Sequence, residues 1–377
     1  MKSDEEEYAV SINGLIRGKQ YDTPQKEKDE RLLSILKPLC LRISAGCPSY
    51  AAFLHKLGKP VNDWTSIDSI PPLPVSVFKR FKLLAVPEDR IIRVLQSSAT
   101  TGDTPSRIYV DKTTAFRQAR ALVAVLKEHI GVERRPFLVL DCEDSVAEGD
   151  SLTARGAAIR GIASFANRSI FGMRKTDDGD LETDFDAIGA FFEENGGNPT
   201  LLFGFSFIVW SRFVLEAEKR GLAFQGSDAY LLHSGGWKNL VSQSVSKEQF
   251  NERVATVLNC PVSSIIDFYG MVEQVGTVFV DCQAGNKHAP AFADVRILRP
   301  GTMELVGPGE EGIIELISTL PTSYPGQVLL SEDLGVCMGV DNCPCGRLGT
   351  YFRFTRRVER AELRGCGDTF AQSRELA

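Results

Sequence analysis

From about residue 91 onward, short apolar runs alternate with stretches whose apolar positions recur three or four residues apart. Arg93-Val94-Leu95 reads as a strand, and Thr114 to His129 carries Phe116, Ala119, Leu122, Val123 and Leu126 at helical spacing behind a capping Asp111. Pro136 to Asp141 reads as a buried strand. The strand Leu201 to Phe205, a helix through Glu216, the strand Ala229 to His233, a helix near Glu248 to Leu258 and the strand Ser264 to Phe268 follow. This alternation predicts the α/β class, with mainly parallel sheets and helices on both faces.

After Pro290 the pattern changes to short strands, Asp294 to Leu298, Gly312 to Ser318 and Val328 to Leu330, parted by Gly301-Thr302 and Gly307-Pro308-Gly309. A smaller β-rich unit is expected there. The first ninety or so residues read as helical and loop-rich, with a helix near Arg31 to Leu36 and a proline-punctuated segment, Ile70 to Val75, that excludes regular helix. The expected organisation is a lead-in layer (1–90) packed on the main domain, an α/β core (91–290), a β-rich subdomain (291–353) and a hinge-like tail (354–377).

The 377 residues are 43% hydrophobic, enough for a sizeable core, so disorder is not the default reading. A net charge of −6 supplies no large cationic field, so no nucleic-acid partner is expected. The start, MKSDEEEYAV, is acidic where a secretory signal is basic and then apolar, and no membrane span is legible, so a cytoplasmic location is expected. Nine cysteines, an odd number in a long chain, read as reduced thiols.

Several loops carry residue types suited to nucleotide chemistry. Ser97-Ser98-Ala99-Thr100-Thr101-Gly102, directly after a strand, offers hydroxyl and backbone N–H donors to phosphate oxygens, although it lacks a Walker ending. His233-Ser234-Gly235-Gly236-Trp237-Lys238 stands at a strand's carboxyl end, where open α/β sheets place ligands. Its adjacent glycines would let a flat base approach the backbone. Tyr269-Gly270-Met271-Val272-Glu273 joins an aromatic that can stack on a base to a carboxylate that can hold magnesium. Ser331-Glu332-Asp333-Leu334-Gly335 ends an apolar strand in acids, and Asp333 can accept from ribose hydroxyls. Near the chain end, Cys366 lies between glycines and close to Arg364, a setting that favours an exposed thiolate. Taken singly, each loop also fits an ordinary turn or helix start. Cys337, Cys343 and Cys345 form a C-x5-C-x-C group that would hold zinc if a fourth ligand joined. The spacing is not the usual C-x2-C knuckle, and His55, His129, His233 and His288 are all distant in sequence.

In their order along residues 90 to 367, these loops resemble the nucleotide loops of adenylate-forming enzymes, the superfamily of acyl-CoA synthetases and phenylacetate-CoA ligases. The His-x-Gly-Gly-Trp-Lys, Ser-Glu-Asp-Leu-Gly and Arg-Ala-Glu-Leu-Arg-Gly-Cys segments resemble the acyl-protein synthetase (LuxE-type) family, known from bacterial bioluminescence. The resemblance implies the adenylate-forming N-terminal domain fold, lacking the usual C-terminal lysine domain. It implies activation of a carboxylic acid, a fatty acid, by ATP and Mg2+ as acyl-AMP, then transfer to Cys366 as a thioester for an acyl-reductase or acyl-carrier partner. Carried over by motif, Ser97, Ser98, Thr100, Thr101 and Gly102 would hold phosphates, and Gly235, Gly236 and Tyr269 would frame adenine. Glu273 would bind magnesium; Asp333 and Arg357 would contact ribose. Ala99 stands where the family commonly has glycine. Two other readings remain: an adenylating ligase for an aryl or short-chain acid acting on CoA, a carrier protein or an amine, and a non-catalytic nucleotide-binding scaffold. An acyl pocket is expected beside the helix carrying Phe205, Phe207, Ile208 and Trp210.

Overall fold

A computed structural model describes residues 4–97, 104–146, 151–195, 197–236 and 245–358. They fall into two compact units, one comprising residues 126–149 and 155–269, the other residues 1–125, 150–154 and 270–377. Both are discontinuous in sequence, so the linear boundaries at 90, 290 and 353 do not coincide with them.

The unit of residues 126–149 and 155–269 is built on five parallel strands in the order Ile265–Tyr269, Ala229–Ser234, Thr200–Phe205, Arg135–Val139 and Ala166–Phe171. Thr200, Leu201, Leu202 and Phe203 are all buried, the continuous pattern of a strand covered on both faces. Leu138, Leu202, Leu231, Trp210, Phe213 and Phe250 meet in one core. Helix Lys247–Leu258 begins at Ser246, whose hydroxyl accepts from the Gln249 N–H while Gln249 reaches back to the Ser246 N–H. It stops at Asn259, which takes the left-handed conformation at φ 53°.

In the other unit an antiparallel run orders Ala293–Leu298, Glu311–Ser318, Val328–Val340, Thr350–Arg357, Lys287–His288 and Phe279–Asp281. The proline-rich segment contributes a two-residue strand, Leu73–Pro74, paired in parallel with Leu329–Leu330, as its lack of helix requires. A separate sheet joins Ile91–Gln96 to Arg107–Asp111 and Ser151–Thr153. Helix Gln25–Gly46 is fixed to strand Ala293–Leu298 by buried charge: Arg296 binds Asp294, Asp29 at 2.8 Å and Asp68 at 2.9 Å, while Lys28 lies 3.4 Å from Asp294.

Helix Lys112–Ile130 starts as expected, with the Thr114 N–H donating to Asp111 at 2.8 Å. Its buried face differs from the expected apolar stripe. Leu126 is buried and Leu122 and Val123 half-buried as expected, but Thr114, Arg117, Gln118, Ala121, Ala124 and Val125 also turn inward, and Phe116 is 60% exposed beneath the Arg120 guanidinium. Thr114 bonds the hydroxyls of Thr322 and Ser323, so polar pairing sets which face is covered. No described helix is long and apolar enough to cross a membrane.

Candidate active site

The hydroxyl-rich loop is held at its neck by two serines. Strands Ile91–Gln96 and Arg107–Asp111 form an antiparallel hairpin. The Ser106 N–H donates to Ser97 Oγ at 2.8 Å, and the Ser97 N–H donates to the Ser106 carbonyl at 3.2 Å. Ser98, Thr100, Thr101 and Gly102 lie outside the described residues.

Glu273 lies in the tight turn Val272–Gln274 and is buried. Three contacts fix that turn. The Tyr324 hydroxyl donates to the Glu273 carbonyl at 2.7 Å, and the Gln274 side-chain amide donates to the Gly326 carbonyl at 2.8 Å. Gly276, at φ +87°, brings backbone against backbone: a Cβ there would stand 2.5 Å from the Gln118 carbonyl oxygen. Burial pushes the Glu273 carboxyl above its ordinary range, while the Ser106 hydroxyl and the Lys79 charge draw it back down. A buried carboxylate next to the neck of a hydroxyl-rich loop is a hard oxygen donor suited to a magnesium ion carried by a phosphate chain.

The expected strand end at Leu330 is absent. Strand Val328–Val340 continues through Ser331–Gly335, so Asp333 is a mid-strand residue directly opposite Arg357. Glycine explains the continuation, because a Cβ at Gly335 would come within 2.8 Å of the Arg353 carbonyl, and its absence keeps the neighbouring strand in pairing distance. Arg357 is the last residue of strand Thr350–Arg357. It donates to Glu332 at 2.7 Å, and Lys79 lies 3.2 Å from the same carboxylate. Burial opposes ionisation of Glu332, but Arg357 and Lys79 outweigh it and hold the carboxyl below its ordinary range. Sequence reasoning singled out neither Glu332 nor Lys79. Residues 359–377, including Cys366, lie outside the described residues.

In the parallel-sheet unit, His233 reaches the carboxyl end of the strand Ala229–Ser234. It is buried, with Nδ1 2.9 Å from Ser206 Oγ and 3.9 Å from Asp267, its register partner on the next strand. The ring packs on Phe250 with centroids 4.6 Å apart. Gly235 follows at φ +93°, where a Cβ would come within 2.7 Å of the Phe205 ring; Gly236 is exposed with open space around it. Tyr269, at the end of its strand, is buried. Gly270, which belongs to the other unit, is exposed. Trp237 and Lys238 lie outside the described residues.

Asp141, just beyond strand Arg135–Val139, is a carboxylate that sequence analysis does not single out. It is buried, pairs with Arg155 at 3.0 Å and accepts from the Cys142 N–H at 2.7 Å and from the Ser145 hydroxyl. The expected acyl-pocket helix is largely core: Ile208 and Trp210 are buried and Trp210 stacks on Phe250 at 6.0 Å, leaving Phe205 and Phe207 half-buried. The chain is π-helical over Val209–Val214, where Val209, Trp210, Phe213 and Val214 are buried.

The cysteine group also differs from expectation. Cys343 and Cys345 meet Cys282 and His288, and the four ligand atoms lie within 4.8 Å of one another. Cys337 is not among them. It sits on the long strand opposite Phe352, while the hairpin Phe279–Asp281/Lys287–His288 brings in the distant pair. Burial, with Arg347 and Lys28 nearby, pushes His288 down to about 4, so its imidazole is neutral near pH 7.

Among known proteins, two curated relatives align over most of the chain. The long-chain-fatty-acid–luciferin-component ligase of Vibrio harveyi is 23% identical, over 86% of this chain and 83% of its own. Its counterpart from Aliivibrio fischeri is 24% identical, over 81% and 79%. A solved 2-hydroxyisobutyryl-CoA ligase, crystallised in the postadenylation state with R3-HIB-AMP, superposes with a TM-score of 0.66 at 16% identity. It matches 90% of this chain and 69% of that one, and the likeness is one of fold. The family model described as acyl-protein synthetase, LuxE, matches residues 45–374, and to that family the chain belongs.

Proposed function

We propose that this chain activates a long-chain fatty acid with ATP as acyl-AMP and passes the acyl group to the thiol of Cys366. The observation that carries the reading is the apposition of buried Glu273 to Ser106, at the neck of the loop Ser97 to Gly102. A buried carboxylate beside the described base of that loop supports reading Glu273 as the magnesium ligand and the loop as the phosphate cradle. The family match and the two fatty-acid ligases support the choice of acid.

In the first step a carboxylate oxygen attacks the α-phosphorus, the bond from the α-phosphorus to the α,β-bridging oxygen breaks, and pyrophosphate leaves with the electron pair. Glu273 would hold magnesium, which when bound would neutralise charge on the phosphates. The donors of the Ser97 to Gly102 loop, including Thr100 and Thr101, stabilise the charge that develops on the phosphoryl oxygens. Gly235, Gly236 and Tyr269 border the adenine, and Asp333 accepts from the ribose, with Arg357 beside it. His233, fixed by Ser206, holds the strand end from which the glycines depart. In the second step the Cys366 thiolate attacks the acyl carbon and AMP departs with its oxygen. The acyl group then goes to a partner protein such as a reductase. This work is suited to the cytoplasm.

The test incubates purified protein with ATP, magnesium and radiolabelled fatty acids of several lengths, comparing wild type with Cys366→Ser and Glu273→Gln. Acid-dependent pyrophosphate exchange is expected to survive in Cys366→Ser and protein-bound thioester label to vanish. Glu273→Gln is expected to lose both. Exchange without label in wild type would give the second step to another acceptor. No exchange with any acid would remove the enzymatic reading.

A further inference from the structure

We propose that Cys282, His288, Cys343 and Cys345 form a closed zinc site that staples two hairpin turns together. The ligands come in pairs from two knuckles. Cys282 follows strand Phe279–Asp281, and His288 ends the returning strand, with the Gly285 N–H donating to the Cys282 carbonyl at 2.8 Å. Cys343 and Cys345 lie between strands Val328–Val340 and Thr350–Arg357, where the Gly346 N–H donates to the Cys343 carbonyl at 2.9 Å. Gly346, at φ +80°, makes that turn.

The distances match one metal better than any direct bonding between the ligands. With Zn–S near 2.3 Å and Zn–N near 2.0–2.1 Å, tetrahedral geometry puts two sulfurs roughly 3.8 Å apart and a sulfur and a nitrogen roughly 3.6 Å apart. Cys282 Sγ and Cys343 Sγ are 3.8 Å apart, and Cys345 Sγ is 3.4 Å from His288 Nε2. A disulfide needs about 2.05 Å between sulfurs, so the Cys282–Cys343 separation excludes one. Three thiols and an imidazole are soft or borderline donors that select zinc over magnesium or calcium.

The surroundings orient the donors in the manner of a metal site's outer layer. The Asn286 side-chain N–H donates to Cys343 Sγ at 3.5 Å, and Arg353 holds the Asn286 oxygen at 2.9 Å. The His288 ring stacks on Tyr351 at 5.4 Å and meets the Tyr21 ring edge-on at 6.1 Å. Four protein ligands leave no open position, so the metal is structural rather than catalytic. The second knuckle also anchors the N-terminal segment: Asp341 accepts from the Gln25 N–H, and the Leu348 N–H donates to the Tyr21 carbonyl at 2.9 Å. Holding it therefore fixes the base of the strand that ends in Arg357.

Metal analysis of protein purified in the presence of a reductant should find one zinc per chain. Replacement by cobalt should give the sulfur-to-metal charge-transfer and intense d–d bands of a tetrahedral thiolate site. Cys343→Ser and Cys282→Ser should lose stoichiometric zinc, whereas Cys337→Ser keeps it. Should the first two variants fail to fold, the wild-type zinc content and cobalt spectrum decide. Wild type without zinc, with iron in its place, or with a Cys282–Cys343 disulfide by mass spectrometry overturns the proposal, as does equal zinc loss from Cys337→Ser. None of these readouts depends on the acid the enzyme activates.

Discussion

Gly235 lies so close to Phe205 that a Cβ would sit 2.7 Å from the ring, at a backbone φ of +93°. Two costs therefore fall on any side chain there, one of backbone conformation and one of contact. Gly235→Ala is expected to lower the unfolding free energy by about 2 kcal/mol, within the range for a residue forced into a sparsely populated conformation. Adding Phe205→Ala should leave the backbone part in place. Gly236, with open space around it, should accept alanine without loss of stability, so a rise in KM for ATP in Gly236→Ala would report nucleotide contact alone. Urea unfolding combined with pyrophosphate exchange measures both, and a Gly235→Ala protein as stable as wild type would contradict the strain.

Ser97→Ala removes the acceptor for the Ser106 N–H while leaving the hairpin's backbone bonds. The expected loss of stability is about 1 kcal/mol, the net worth of one hydrogen bond. Because Ser106 also faces Glu273, the change should raise KM for ATP more than it lowers stability. Unchanged kinetics alongside the expected destabilisation would confine Ser97 to a structural role.

The sequence made the parallel sheet legible because its strands are buried on both faces and announce themselves as unbroken apolar runs, as in Leu201 to Phe203. The paired turn at Asp111 and Thr114 was equally visible, since capping is local. What stayed hidden depends on contacts between distant residues. His288 joins Cys343 across 55 positions of sequence through strand pairing, which no spacing rule encodes. The continuation of strand Val328–Val340 past its acids rests on a glycine's fit against Arg353, and the burial of Thr114 on its hydroxyl contacts with Thr322 and Ser323. Ion partners such as Lys79 and Glu332 have no pattern of their own in the chain.

Lys79→Met tests the partners of Glu332. The carboxyl's pKa is depressed in the folded protein, so its contribution to stability is present above the ordinary carboxylate value and lost as pH falls through the folded one. Removing Lys79 leaves Arg357 as partner, and for this partly exposed pair the loss should stay under about 1 kcal/mol at neutral pH. The acid limb of a pH–stability profile should move to higher pH. An acid limb identical to wild type would mean that Arg357 alone holds Glu332 ionised.

Glu315 gives the opposite sign. It is buried on strand Glu311–Ser318, and burial, reinforced by Asp68 and Asp294, pushes its carboxyl up to about 8 against the opposing charge of Arg296. Arg296 is already shared by Asp294, Asp29 and Asp68, so a fourth carboxylate finds repulsion more than pairing. The side chain is therefore neutral at pH 7 in the folded state and ionised when unfolded. As pH rises from the ordinary carboxylate range to about 8, the unfolded state binds fewer protons, and this residue alone should cost about 1.4 kcal/mol of stability per pH unit. Above that pH the slope from this group disappears. Glu315→Gln keeps the shape and removes the titration, so the gap between variant and wild type in urea unfolding should widen from pH 5 to pH 8 and then level off. Profiles that run parallel through that interval would mean that the folded carboxyl is already ionised, which would require water or a cation beside it.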